Sequence, residues 1–174
     1  MNQHITKISL MGYMGSGKST VAGILATKMN VPAIDLDDYI NEKEGLSIPE
    51  IFASRGEIYF RKMENVYLKE LLDSGRSFVL ALGGGTPCYA NNMEMLLKKS
   101  RSVYLRASVS TLFDRLVRER ESRPMISDLS EEQLAEFIAK HLFERREFYE
   151  KAERVISIED KSPESIAEEI IYSR

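Results

Sequence analysis

"MGYMGSGKSTVAG", Met11 to Gly23, decides how the rest of the chain is read. It fits G-x-x-x-x-G-K-[ST], with Gly12, Gly17, Lys18 and Ser19 at the fixed positions. "ITKISL" before it has Ile5, Ile8 and Leu10 apolar, the pattern of a short strand. "STVAGILATKM" after it spaces Val21, Ile24, Leu25 and Met29 as one face of a helix. Strand, glycine turn and helix start together form a phosphate cradle. Inward-turned backbone N–H groups meet polyphosphate oxygens, and the helix start adds its positive end. The expected nucleotide contacts are Gly12, Gly15, Ser16, Gly17, Lys18, Ser19 and Thr20, with Lys18 on the β- and γ-phosphates and Ser19 available to Mg²⁺. A glycine turn that only joins strand to helix would not need all eight positions.

Working outward, four more apolar runs look like strands: "AIDLD", "FVLALGG", "SVYLR" and "RVISI". Helical patterns lie between them. Ser47 with Glu50, and Ser130 with Gln133, are spaced as capping boxes; Ser162 before Pro163 caps a final helix. Strands alternating with helices predict an α/β, three-layer fold: a five-stranded parallel sheet flanked by helices.

The 174 residues suit a single domain. A net charge of −3 argues against general binding to nucleic acid or membrane surfaces. No apolar run approaches a membrane span and no leader opens the chain. One cysteine, Cys88, excludes an internal disulfide framework and fits a reducing compartment; with only His4 and His141 beside it, a zinc site is not expected. A cytoplasmic enzyme is the default expectation, and a monomer is expected with it.

Binding a triphosphate does not say what receives the phosphoryl group. In "IDLDDYI", Asp35 and Asp37 would share one face of a strand end, at the crevice where open parallel sheets bind ligands. Asp35 could then support the metal through water, and Asp37 could meet a substrate hydroxyl. The alternative is that these carboxylates solvate a helix start, as Asp38 does. "RGEIYFRKMENVYLKELL" reads as an amphipathic helix carrying Arg61, which is either functional or a solvated helix residue. Three glycines, Gly83 to Gly85, directly after a strand favour close approach of a ligand to bare backbone over a tight turn, which one or two glycines would satisfy. Arg115, Arg118, Arg120 and Arg123 run into an exposed loop that could close over phosphates, although Glu119 and Glu121 could pair with some of them. Arg145 and Arg146 follow on a helix.

Taken in order, "GYMGSGKST", "DLDDYI", "SIPEIFASRGEIYFRKME", "ALGGGT", the lid "RP" and "RREFY" resemble the shikimate kinases over nearly the whole chain. That resemblance implies a nucleoside monophosphate kinase-like fold with a lid near 118–128 and a substrate-binding region near 37–63. It also implies γ-phosphoryl transfer from ATP to the 3-hydroxyl of shikimate, with Mg²⁺, on the route to chorismate. By position, Asp37 would orient the nucleophile and Asp35 would support Mg²⁺. Arg61 and Arg145 would hold the carboxylate, and Gly83, Gly84 and Gly85 would lie against the ring. Arg123 would cover the phosphates, and Arg118 would stack on adenine. Two departures stand out: "RPM" where the family often has Arg-Pro-Leu, and Glu147 where its last motif usually has proline. A gluconate or nucleoside monophosphate kinase, and an ATP-binding module without catalysis, are the rival readings.

Overall fold

A computed structural model describes residues 5–120, 123 and 125–172. His4 and, in the stretch expected to form a lid, Glu121, Ser122 and Pro124 lie outside the described residues.

The run before the glycine loop forms β1 (Lys7–Met11), with Ile8 and Leu10 turned into one apolar cluster and Met11 into another. β1 pairs in parallel with β3 (Phe78–Ala81) on one side and β4 (Arg101–Arg106) on the other. β2 (Ala33–Asp35) and β5 (Arg154–Ser157) complete a five-stranded sheet of order β2-β3-β1-β4-β5. Alternation along the central strands serves both faces: Val79 and Ala81 join the first cluster, and Phe78 and Leu80 the second. Each face is therefore apolar and must be covered, which is why the sheet is parallel and strand-to-strand links run through helices.

On the first face lie α1 (Lys18–Met29), α5 (Val109–Glu119) and α7 (Pro163–Tyr172), through Val21, Leu25, Leu112, Leu116, Ile166 and Ile170. On the second lie α2 (Leu36–Glu44), α3 (Ile48–Asp73) and α4 (Asn92–Lys99), through Leu36, Ile40, Ile51, Phe60, Leu68 and Leu96. α6 (Glu131–Tyr149) reaches both, with Leu134 and Ile138 in the first cluster and Tyr149 in the second. Both capping boxes form as their spacing predicts, at the starts of α3 and α6. Ser162 Oγ accepts the backbone N–H of Ser165 at the start of α7. The long helix α3 bends at Gly56, whose φ of 80° is not helical. No helix among the described residues is long and apolar enough to cross a membrane.

Two expectations change. Asp37 is not on a strand: β2 stops at Asp35, which caps α2 by accepting the Asp37 N–H at 3.0 Å. The two carboxylates converge because of that cap, not because of strand alternation. The arginine-rich stretch is also not a wholly exposed loop. Arg115 and Arg118 belong to α5, and Ile126 is fully buried in the first cluster, pinning the segment after Arg123.

Candidate functional site

Everything singled out around the glycine loop gathers at the carboxyl ends of β1, β2 and β3, beside the point where strand order reverses. Register explains it. Leu10 pairs with Ala81 and Ala81 with Asp35, so the phosphate loop, the aspartate pair and the glycine run leave the sheet side by side.

The loop is built as its motif requires. At Gly12, φ is 152°, and a Cβ would sit 2.8 Å from both Leu105 O and Ser16 Oγ, so only glycine fits. Gly17 takes the left-handed conformation as cap of α1. Lys18 Nζ donates to Gly12 O at 2.9 Å and Tyr13 O at 3.0 Å. Burial pushes its ammonium down to about 8, against the pull of Asp37 and Asp35. The Ser16 hydroxyl is buried with no hydrogen-bond partner among the described residues. Ser19 Oγ donates to Asp35 Oδ2 at 2.7 Å. A hydroxyl and a carboxylate so placed beside a phosphate loop are hard oxygen donors, the kind that suits a magnesium ion shared with substrate phosphates.

Asp37 is half-buried. Burial, then the neighbouring carboxylates of Asp35 and Glu64, push its carboxyl up to about 6, while Lys18 opposes them. Such a group sits near the pH where a base works best.

The three glycines turn out to make room for side chains. A Cβ at Gly83 would lie 3.0 Å from Asp37 Oδ1; at Gly84, 3.2 Å from Arg145 Nη1; at Gly85, 3.0 Å from both Arg61 Nη1 and Nη2. Each glycine thus admits one of the three charged groups expected to face an acceptor. Tyr149, fully buried, donates from its hydroxyl to Gly84 O at 2.5 Å.

Arg61 is far from being a solvated helix residue. Its guanidinium lies over the Tyr89 ring at 3.9 Å and pairs with Glu64 at 3.2 Å. Glu64, 1% exposed, also accepts from Thr86 Oγ1 at 2.7 Å, and burial raises its carboxyl above the usual range. The Glu44 carboxylate ties α2 to α3 by accepting from Arg55, Tyr59 and Tyr67. Of the two arginines on α6, Arg145 faces Tyr13 and Gly84, whereas Arg146 is exposed and paired with Glu150 at 2.6 Å. Asp38 is exposed, as expected of a helix-start carboxylate.

The other arginines divide by geometry. Arg115 Nη1 donates to Gly15 O at 3.0 Å, on the phosphate loop itself. Arg118 is exposed on α5. Arg120 donates to Leu129 O at 2.9 Å, a bond that braces the turn. Arg123 forks onto Glu119 Oε2, at 3.0 and 2.5 Å. Burial pushes the Cys88 thiol up to about 11, so it stays protonated and unreactive near neutrality.

Glu64, Thr86, Tyr89, Tyr149 and Arg115 were not assigned from sequence. Glu64 had a signal: it falls one turn after Phe60 and one before Leu68, on the buried stripe of α3, where an unpaired charge would be costly.

Comparison with known proteins places this geometry. A family model described as Shikimate kinase matches residues 14–173. The shikimate kinase of Flavobacterium johnsoniae is 46% identical over 167 residues, covering 95% of this chain and 96% of that protein. A crystal structure of shikimate kinase from Bacteroides thetaiotaomicron superposes with a TM-score of 0.88 at 36% identity, covering 95% of this chain and 96% of that one. Shikimate kinase from Acinetobacter baumannii, solved in complex with shikimate, gives a TM-score of 0.86 at 33% identity, covering 97% and 92%.

Proposed function

The chain belongs to the shikimate kinase family, and on that premise we propose how its own residues carry the family's reaction, transfer of the γ-phosphoryl group of ATP to the 3-hydroxyl of shikimate. The observation that carries the reading is the glycine run. Asp37, Arg145 and Arg61 pack against Gly83, Gly84 and Gly85 in turn, directly beside the phosphate loop. A small hydroxylated carboxylate needs those groups: guanidinium forks for its carboxylate and an aspartate for its hydroxyl.

Gly12, Gly15, Ser16, Gly17, Lys18, Ser19 and Thr20 wrap the ATP phosphates, and Ser16 has a hydroxyl to give them. Arg123 closes over the transferring group by exchanging Glu119 for phosphate oxygens. Arg118 flanks the nucleotide, joined by Arg115, which already touches the loop. Ser19 and Asp35, the latter through water, would hold Mg²⁺. When bound, that ion neutralises charge on the β- and γ-phosphates.

Arg61 and Arg145 fix the shikimate carboxylate, with the backbone of Gly83 to Gly85 against the ring. Asp37 then orients the 3-hydroxyl and takes its proton. The new bond forms from that oxygen to phosphorus as the bond from phosphorus to the β–γ bridging oxygen breaks, leaving ADP. Lys18 and Arg123 stabilise charge on the moving group. In a loose transition state orientation contributes more than basicity, so Asp37 acts chiefly by aiming the nucleophile.

The reading extends to one domain over the whole chain, with the lid near 118–128 and the acceptor region near 37–63. It further takes the protein to be cytoplasmic, which the lone cysteine supports, and a monomer. Light scattering checks the monomer. The decisive experiment measures ADP release from MgATP with shikimate, gluconate, AMP or CMP as acceptor. Release with shikimate alone, lost in Lys18→Ala and Arg61→Ala, is the expected result. Release with another acceptor would overturn the substrate, and none with any would leave a binding module.

A further inference from the structure

Tyr13 occupies a variable position of the phosphate loop, where the backbone alone cradles phosphate. Its side chain is nevertheless 1% exposed, and three groups meet it. The Arg145 guanidinium carbon lies 5.6 Å from the ring centroid, within cation–π range. The hydroxyl lies 3.3 Å from His141 Nδ1, and Phe137 packs against that imidazole with centroids 4.1 Å apart. The Tyr13 carbonyl accepts from Lys18.

Arg145 makes no ion pair among the described residues, unlike its neighbour Arg146. A hydrogen bond with the Tyr149 hydroxyl and the shape around it fix it. The Tyr13 ring stands near one side of the guanidinium, and Gly84 comes so close that a Cβ would lie 3.2 Å from Nη1. A planar cation held in that slot has donors beyond the one used on Tyr149 to offer a carboxylate.

We propose that Tyr13 is a positioning residue for the acceptor: its ring seats Arg145, so a single loop residue sets the place of the carboxylate anchor while its carbonyl holds the phosphate-binding lysine. This rests on the assignment of Arg145 to the shikimate carboxylate. His141 and Phe137 keep the ring from swinging away, and the loop cannot shift without moving both anchors.

The test is a double-mutant cycle read by ADP release, varying shikimate and MgATP in turn. It compares wild type, Tyr13→Leu, Tyr13→Phe, Arg145→Met and the pair Tyr13→Leu with Arg145→Met. Removing the ring raises KM for shikimate about five-fold, the scale of a half-buried cation–π contact, with KM for ATP within about two-fold. Tyr13→Phe, which keeps the ring but loses the His141 contact, falls between wild type and Tyr13→Leu in KM for shikimate. In the Arg145→Met background, Tyr13→Leu adds nothing, because the group it seats is gone. Additive losses, or equal shifts in both KM values, overturn the proposal. Tyr13→Met replaces Tyr13→Leu if the latter fails to fold. Wild type inactive with shikimate would fail the acceptor assignment alone; an active wild type with an additive cycle would fail this inference alone.

Discussion

The hydroxyl of Ser19 and the carboxylate of Asp35 are joined by a 2.7 Å hydrogen bond across the mouth of the phosphate loop. The other oxygen of Asp35 caps α2 through the Asp37 N–H. One carboxylate thus links the metal-side hydroxyl to the helix that carries the proposed base. Asp35→Asn weakens both links while leaving the loop intact. The half-saturating Mg²⁺ concentration should rise about ten-fold, the usual scale for an outer-sphere partner of a metal ligand. Turnover against Mg²⁺ at fixed ATP checks this; an unchanged curve would remove Asp35 from the metal site.

Asp37→Asn should lower kcat by about 10²–10⁴-fold, the range of a positioned acid–base group, while ADP binding by calorimetry stays near wild type. Near-normal turnover would take Asp37 out of the mechanism.

Two groups set the pH profile. The Asp37 carboxyl, at about 6, must be ionised to orient and deprotonate the hydroxyl, so activity falls as pH drops through 6. Lys18, at about 8, must be charged to bind phosphate, so kcat/KM for ATP falls as pH rises through 8. A bell between those limbs is expected. Stability has its own sign. With a folded pKa above the ordinary 3.8, Asp37 favours the native state most below 3.8 and loses that contribution as pH rises through 6. At pH 7.5, Asp37→Asn should therefore raise Tm even as it abolishes turnover.

Gly85→Ala is a clean steric probe. The φ of Gly85 is −88°, open to alanine, yet the new methyl would meet the Arg61 guanidinium at 3.0 Å. KM for shikimate should rise about ten-fold or more as that fork is displaced, with KM for ATP little changed. An unaltered KM for shikimate would mean that Arg61 does not need its present seat.

Tyr149→Phe removes the donor to Gly84 O. Leaving a carbonyl unsatisfied in a buried setting costs about 1–3 kcal/mol. Chemical denaturation should show that loss, with a higher KM for shikimate because the glycine run is no longer tied to α6. Wild-type stability would indicate that water replaces the tyrosine.

Legibility in the sequence followed how local each signal was. Strand runs, both capping boxes and the phosphate loop depend on a few neighbouring residues, and the structure has them where spacing predicts. The sequence locates the aspartate pair but not its cause, since a cap brings the Asp37 N–H to Asp35 where strand alternation would align them. The arginines could not be sorted in advance. Arg115, Arg118 and Arg120 look alike in a charge run, and only packing sends one to Gly15 O, one to solvent and one to Leu129 O. Glu64 needed the helix face to be drawn before its burial beside Arg61 became visible. Tyr13 and Tyr149 are contacts across the fold, with no trace in local spacing.

The way α6 is rooted, its start in one hydrophobic cluster and its end in the other, has a thermal consequence. Arg145 rides on the stretch between the two anchorages, so it feels the breathing of both. Tyr13 is buried in the first cluster, while Met11, which leads into the phosphate loop, is buried in the second. Both clusters thus stand behind both sites, so warming short of unfolding loosens the grip on the acceptor and the grip on the nucleotide together.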